Sequence, residues 1–220
     1  MCCVQDDVTL SQATDLKPAE SNPARAGLLL CLETIVEPLD LGKVFPVAQP
    51  LQVELGTGDG SFLAQYAALH PEWNFIGVER LLGRLRKLER KGERAGLANL
   101  RGARIEASYF LEYLLPKKSA SALHVYFPDP WPKRRHRKNR LINERFPELA
   151  RAALAPGGAV YLRTDDADYF AQMRAVFEAC PAFAERPTPP PLSEVLTDFE
   201  REFLARGITT LRLAWQLARP

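Results

Sequence analysis

Five short apolar runs, at residues 51–55, 74–78, 100–105, 122–126 and 159–163, alternate along this chain with segments that read as helices. No other feature restricts the fold as much. Each run has the length of a strand buried on both faces. The intervening helices are expected at 61–69, 81–96, 109–115, 141–154 and 166–179, with Ser61 as a cap for the first and Gly96 as the stop of the second. Strand–helix alternation requires right-handed crossovers and places the strands side by side in one direction. The expected fold class is therefore α/β, a Rossmann-like, doubly wound and mostly parallel sheet, closed by a terminal antiparallel strand at 208–216. At 220 residues, 46% of them hydrophobic, the chain is long enough to bury one such sheet.

Ligands of such sheets bind beyond the carboxyl ends of the strands. The residues that follow each run become the candidates. After the first run comes Glu54-Leu55-Gly56-Thr57-Gly58-Asp59-Gly60. Glycine at positions 56, 58 and 60 lets the backbone turn tightly and approach a ligand without Cβ clashes. Glu79 ends the second run about twenty residues on, where a carboxylate can accept both hydroxyls of a ribose. The pair indicates a nucleoside-containing ligand. A dinucleotide brings a pyrophosphate, which Glu54 and Asp59 would repel; a ligand carrying an ammonium and a sulfonium suits those acids better. Glu106, after the third run, reads equally well as a ligand contact or a surface acid.

After the fourth run stands Phe127-Pro128-Asp129-Pro130-Trp131-Pro132-Lys133, leading into Arg134-Arg135-His136-Arg137-Lys138-Asn139-Arg140. Three prolines fix their own φ and lack N–H donors, so this turn is stiff and aims Asp129 and Trp131. Trp131 can stack on a base or fill the core beneath the turn, and the second reading is preferred. Six of the 29 Lys and Arg residues fall within 133–140. Beside a pocket they are expected to contact phosphates, with Arg134, Arg135, Arg137 and Lys138 as the principal candidates, and binding should weaken steeply with salt. The cations of 84–94 are interspersed with Glu89 and Glu93 and read as an ordinary solvated helix face. His70 and His124 read as structural.

Taken in order, Glu54-Leu55-Gly56-x-Gly58-x-Gly60, Gly77-Val78-Glu79, Phe127-Pro128-Asp129-Pro130-Trp131-x-Lys133, Arg163-Thr164-Asp165 and Thr197-Asp198-Phe199-Glu200 resemble the bacterial tRNA (guanine-N7)-methyltransferase family. The match runs from about residue 51 to 216. The resemblance implies the class I methyltransferase architecture, S-adenosyl-L-methionine as cofactor, and a guanine in the variable loop of tRNA as substrate. It implies that Glu54, Glu79, Glu106 and Asp129 line the cofactor site, Asp129 also facing the guanine as the catalytic residue. Lys133, Asp165, Thr197, Asp198, Phe199 and Glu200 would hold the substrate nucleotide. The segment 197–200 is expected to be a loop, delivered by a stiff extended spacer at 187–191. Glu106 departs from the aspartate of many members, and the chain after Glu200 is longer than in some.

Residues 1–24 read as a flexible N-terminal tail and 25–220 as the methyltransferase domain. Cys2, Cys3, Cys31 and Cys180 form no spaced pair, which argues against zinc and a disulfide framework. With no apolar run near the roughly 20 residues of a membrane span, the expectation is a cytoplasmic protein with tRNA as partner and no obligatory protein partner.

Overall fold

A computed structural model describes residues 27–219. The expected tail over 1–24, with Cys2 and Cys3, lies outside these residues. Seven strands form one sheet in the order β3-β2-β1-β4-β5-β7-β6. They are β1 (Leu51–Leu55), β2 (Asn74–Val78), β3 (Leu100–Ala103), β4 (Ala120–Tyr126), β5 (Leu154–Thr164), β6 (Phe183–Arg186) and β7 (Leu211–Leu217). β1 to β5 are parallel, and β7 runs antiparallel between β5 and β6. The closing antiparallel strand was expected; β6 pairing outside it was not.

The helices are α1 (Leu41–Val44), α2 (Ser61–Leu69), α3 (Leu82–Arg94), α4 (Ala107–Tyr109), α5 (Phe146–Ala153), α6 (Ala167–Glu178), α7 (Pro190–Glu194) and α8 (Asp198–Ala205). α2 and α3 cover one face of the sheet, where Phe62, Leu63, Leu85 and Leu88 pack on Phe75 and Leu100. α5 and α6 cover the other, packing Phe146, Tyr169 and Phe177 against Val53, Val125 and Leu162. Every residue of β1 and β2 is buried, as in strands covered on both sides. His124 lies within the sheet between Gln52 (2.7 Å) and the Tyr126 hydroxyl (2.8 Å). Burial, with Arg163 nearby, pushes its pKa down to about 3, so it stays neutral.

Three elements differ most from the sequence reading, each for a local reason. The helix expected at 141–154 begins only at Phe146, with Pro147 in its first turn, where a missing N–H costs nothing. Pro156-Gly157-Gly158 is not a separate turn but lies inside β5. The β4–β5 register shifts from Ala120↔Leu154 to Ala122↔Ala159, and Gly157 takes up the irregularity at φ +78°. The helix expected at 109–115 is the short α4 followed by a π-helical turn, Phe110–Leu114.

No helix among the described residues is long and apolar enough to cross a membrane. β1 and β4 sit side by side while their crossovers leave in opposite directions. Their carboxyl ends therefore form the crevice where the strand order reverses.

Candidate active site

The crevice contains a cavity of about 270 Å³, whose wall includes Gly56, Glu79, Glu106, Asp129 and Trp131. The loop after β1 forms its floor. Gly56 and Thr57 donate their N–H groups to the Val78 carbonyl at 2.8 and 2.9 Å, fixing the loop over the end of β2. Gly56, Gly58 and Gly60 all have positive φ, which only glycine adopts cheaply. Their further roles differ. A Cβ on Gly60 would lie 2.2 Å from Leu88 Cδ1, so this glycine permits α2 to meet α3; a Cβ on Gly56 or Gly58 would meet nothing within 4 Å, leaving open space for a ligand.

Each acid has a distinct place. Glu79 is buried at the end of β2, where Oε2 accepts from Gly58 N (3.1 Å) and Oε1 from Leu81 N (2.8 Å). Two backbone donors thus hold the carboxylate in one orientation on the cavity wall, with lone pairs to spare. Glu106 is the N-cap of α4 and accepts from Ser108 N (2.9 Å) and Tyr109 N (2.7 Å). It is both the cap of α4 and part of the cavity wall. Glu54 does not reach the wall. It is buried behind the loop, bonded to Thr57 Oγ1 at 2.5 Å. Asp59 also points away, its Oδ2 accepting from Lys91 Nζ at 3.0 Å. Burial opposes its charge, but Lys91 prevails and holds the carboxyl below its usual range. The cavity is accordingly less negative than expected: Glu79, Glu106 and Asp129 share it with Arg80 and Arg84. In sequence, Arg84 reads as part of an ordinary solvated helix face, and Arg80 is not singled out, although it directly follows a strand-end acid and so meets the positional criterion.

Burial raises the Glu54 pKa to about 8, against the opposing pull of Thr57 and Arg163. A carboxyl with an ordinary value near 4.5 keeps its proton on folding and loses it on unfolding across that interval. Its contribution to stability is complete below about pH 4.5 and is lost as pH rises through about 8. Glu54→Gln removes this titration. The melting temperature of the unaltered protein should fall relative to the variant between pH 5 and 8. Parallel melting curves for the two proteins over that range would contradict the assignment.

The acidic-aromatic turn is stiffer than its prolines alone require. Phe127 and Trp131 sit at φ 50° and 44°, in the left-handed region that bulky residues avoid. Two anchors maintain it. Phe127 N donates to the Arg163 carbonyl (2.8 Å), and Arg140 Nε donates to the Pro130 carbonyl (2.6 Å). Arg140 is 1% exposed, pairs with Asp168 and Gln172 at 2.7 Å each, and lies over the Tyr169 ring. It is therefore a buried brace, not a phosphate contact. Arg137 is drawn to the same Asp168 at 2.8 Å. Of the expected cationic ridge, Lys133, Arg134, Arg135 and Lys138 are exposed and without a carboxylate partner among the described residues; the last three lie on 3₁₀ turns, Arg134–Asn139. Trp131 lines the cavity, so the preferred reading of it as a core filler is corrected. Asp129 is exposed on that wall and makes no hydrogen bond to another described residue.

The segment 197–200 is not a free loop. Thr197 caps α8 through a reciprocal capping box with Glu200. Glu200 is 0% exposed, its Oε2 bonded to Arg163 (2.6 Å) and its Oε1 to Arg212 (2.7 Å). Arg163 also donates to the carbonyls of Val195 (2.9 Å) and Leu192 (2.5 Å), tying α7 and α8 to β5. The spacer at 187–191 is correspondingly not extended throughout, since α7 begins at Pro190. Asp198 and Phe199 remain at the surface, and Phe199 is 50% exposed beside Phe127 and Phe203. Asp165 is exposed at the carboxyl end of β5.

Residues 48–213 match a protein family described as "Putative methyltransferase". A tRNA (guanine-N(7)-)-methyltransferase of Syntrophotalea carbinolica is 37% identical over 179 residues, covering 80% of this chain and 77% of that protein. One of Halorhodospira halophila is 38% identical over 186 residues, covering 81% and 80%. Among solved structures, the 16S rRNA methyltransferase KamB superposes with a TM-score of 0.58 at 16% identity, covering 83% of this chain and 95% of that one, which is a likeness of fold.

Proposed function

Since this chain belongs to the tRNA (guanine-N7)-methyltransferase family, we propose that it methylates N7 of a guanine in the variable loop of tRNA, using S-adenosylmethionine, in the cytoplasm and without an obligatory protein partner. The observation that carries the reading is Asp129. It is an exposed carboxylate on the crevice wall, held in a strained turn, and like Lys133, Arg134, Arg135 and Lys138 just after it in the chain, it is without an ion-pair partner among the described residues.

The residues present fit the cofactor. Open space at Gly56 and Gly58 admits a ligand against the backbone, and Glu79 presents a preset carboxylate suited to a ribose diol. Glu54, behind the loop, would acquire charge when a cation comes near. S-adenosylmethionine supplies an electrophilic methyl on a sulfonium centre.

The protein's share of the chemistry is mostly positioning. Guanine N7 carries an in-plane lone pair and no proton, so no side chain has to act as a base. Holding two reactants in line is worth effective molarities of about 10⁵ to 10⁸ M in favourable cases. The guanine ring becomes cationic as its N7 is alkylated, and the Asp129 carboxylate offsets that charge. To Asp165, exposed at the end of the neighbouring strand, we assign acceptance from the guanine N1–H and 2-amino groups, which adenine lacks. To Lys133 we assign the substrate nucleotide, and to Asp198 and Phe199 a polar and an aromatic contact from the α8 side. Thr197 and Glu200 act by fastening α8.

Incubation with labelled S-adenosylmethionine and bulk tRNA lacking this modification, followed by nucleoside identification, tests the reading. N7-methylguanosine mapped to the variable loop is expected. Label on an exocyclic amino group would point to an amino-methyltransferase and overturn it.

A further inference from the structure

Helix α3 carries six cations against two acids, a net charge of +4 in a chain whose total is +2, so everything outside this helix sums to −2. Helix stability does not account for that excess. Arg84, Arg86 and Lys87 lie near the amino end, where cations oppose the helix dipole, and the first turn has no acid to offset them. The charges are also sorted. Leu85, Leu88 and Gly92 face the core. At 100° per residue, Arg86, Lys87, Arg90 and Arg94 lie on the arc opposite the core, Arg84 and Lys91 share one flank, and Glu89 and Glu93 fall together on the other. Among the described residues only Lys91 of this group is ion-paired, to Asp59 at 3.0 Å and Asp198 at 3.8 Å.

We propose that this face of α3 is a second phosphate-binding surface, on which the tRNA backbone docks across the cavity from the Arg134–Asn139 turns. The proposal rests on the tRNA reading above. Arg84, with Arg80, stands on the cavity wall. At the other end Lys91 and Arg94 join Arg201 along a groove between α2, α3 and α8. The track between Arg84 and Arg94 is about 15 Å long, ten residues at about 1.5 Å each. That length spans several successive phosphates of one RNA strand. A polyanion held on both lips of the crevice is fixed in orientation as well as in place, which one patch on a single lip does not achieve.

Two triple variants test it: Lys87→Gln/Arg90→Gln/Arg94→Gln on α3, none of whose residues lines the cavity, and Arg134→Gln/Arg135→Gln/Lys138→Gln on the 3₁₀ turns. For each, tRNA affinity is measured against salt concentration, with thermal melting to confirm folding and calorimetry to confirm unchanged S-adenosylmethionine affinity. The α3 variant should bind tRNA more weakly and show a log–log salt slope shallower by about two to three, since each phosphate contact contributes about 0.9. A wild-type slope for the α3 variant, with a reduced slope for the other, overturns this surface and leaves the tRNA reading standing. Absence of any salt-dependent tRNA binding by the unaltered protein overturns both. As an independent readout, tRNA should protect Lys87 but not Lys117 from acetylation; equal modification of Lys87 with and without tRNA would also rule the surface out.

Discussion

Asp129→Ala should lower kcat for methyl transfer by about 10² to 10³-fold, the usual loss when one preorganised electrostatic partner is removed, once docked tRNA has shut water out of the crevice. The fold should survive. Asp129 is exposed and makes no hydrogen bond to another described residue, and the strained turn around it is held by Arg140 and by the Phe127–Arg163 backbone bond. The melting temperature is therefore expected to stay close to that of the unaltered protein. Asp129→Asn separates charge from shape, because it keeps the size and a carbonyl acceptor but cannot offset the cationic guanine. It should lose most of the same activity. Single-turnover kinetics at saturating tRNA and cofactor provides the measurement. Turnover near normal in Asp129→Asn would mean that the carboxylate's charge has no part in the reaction.

Glu200→Ala should have its largest effect on stability, not on a substrate contact. The carboxylate is fully buried and answers two guanidinium groups, Arg163 at 1% exposure and Arg212. Truncation leaves both without their acid; Arg163 lies where water cannot replace it, while Arg212, 29% exposed, is partly solvated. Breaking a buried pair by deleting one partner costs about 3–5 kcal/mol. In a domain of this size that corresponds to a fall in melting temperature of roughly 10 °C. The Glu200 half of the α8 capping box, its acceptance from Thr197 N, is lost as well, while the Thr197 hydroxyl still caps the N–H at position 200. Denaturant unfolding monitored by circular dichroism would measure the difference. If the variant unfolds at the same midpoint yet fails to use tRNA, Glu200 is a direct substrate contact, and the fastening role given to it here is wrong.

Legibility in the sequence varied with the kind of interaction. β1, β2 and the loop between β1 and α2 were recognisable because a strand buried on both faces must be apolar along its length, and because a ligand-facing turn needs glycine. Cations were the hardest to interpret. Arg140 and Arg163 head the large side chains that are fully buried, yet in one dimension Arg140 looks like any other member of a basic run. Its partners Asp168 and Gln172 lie about thirty residues away, and nothing local announces them. Thr197 and Glu200 misled in the opposite sense. Their spacing is that of a capping box, which favours a helix start over a mobile loop.

The chain's linear order was sufficient for the α/β class, the cavity at the carboxyl edge of the sheet, and the turn that carries Asp129, because hydrophobic periodicity and glycine or proline stereochemistry are local properties. Which acids face the cavity and which are neutralised, and which arginines brace the fold and which reach solvent, was decided only in three dimensions. The charge state and direction of an ionisable group depend on burial and on partners remote in sequence, as Glu54 behind its loop and Asp59 turned toward Lys91 both demonstrate.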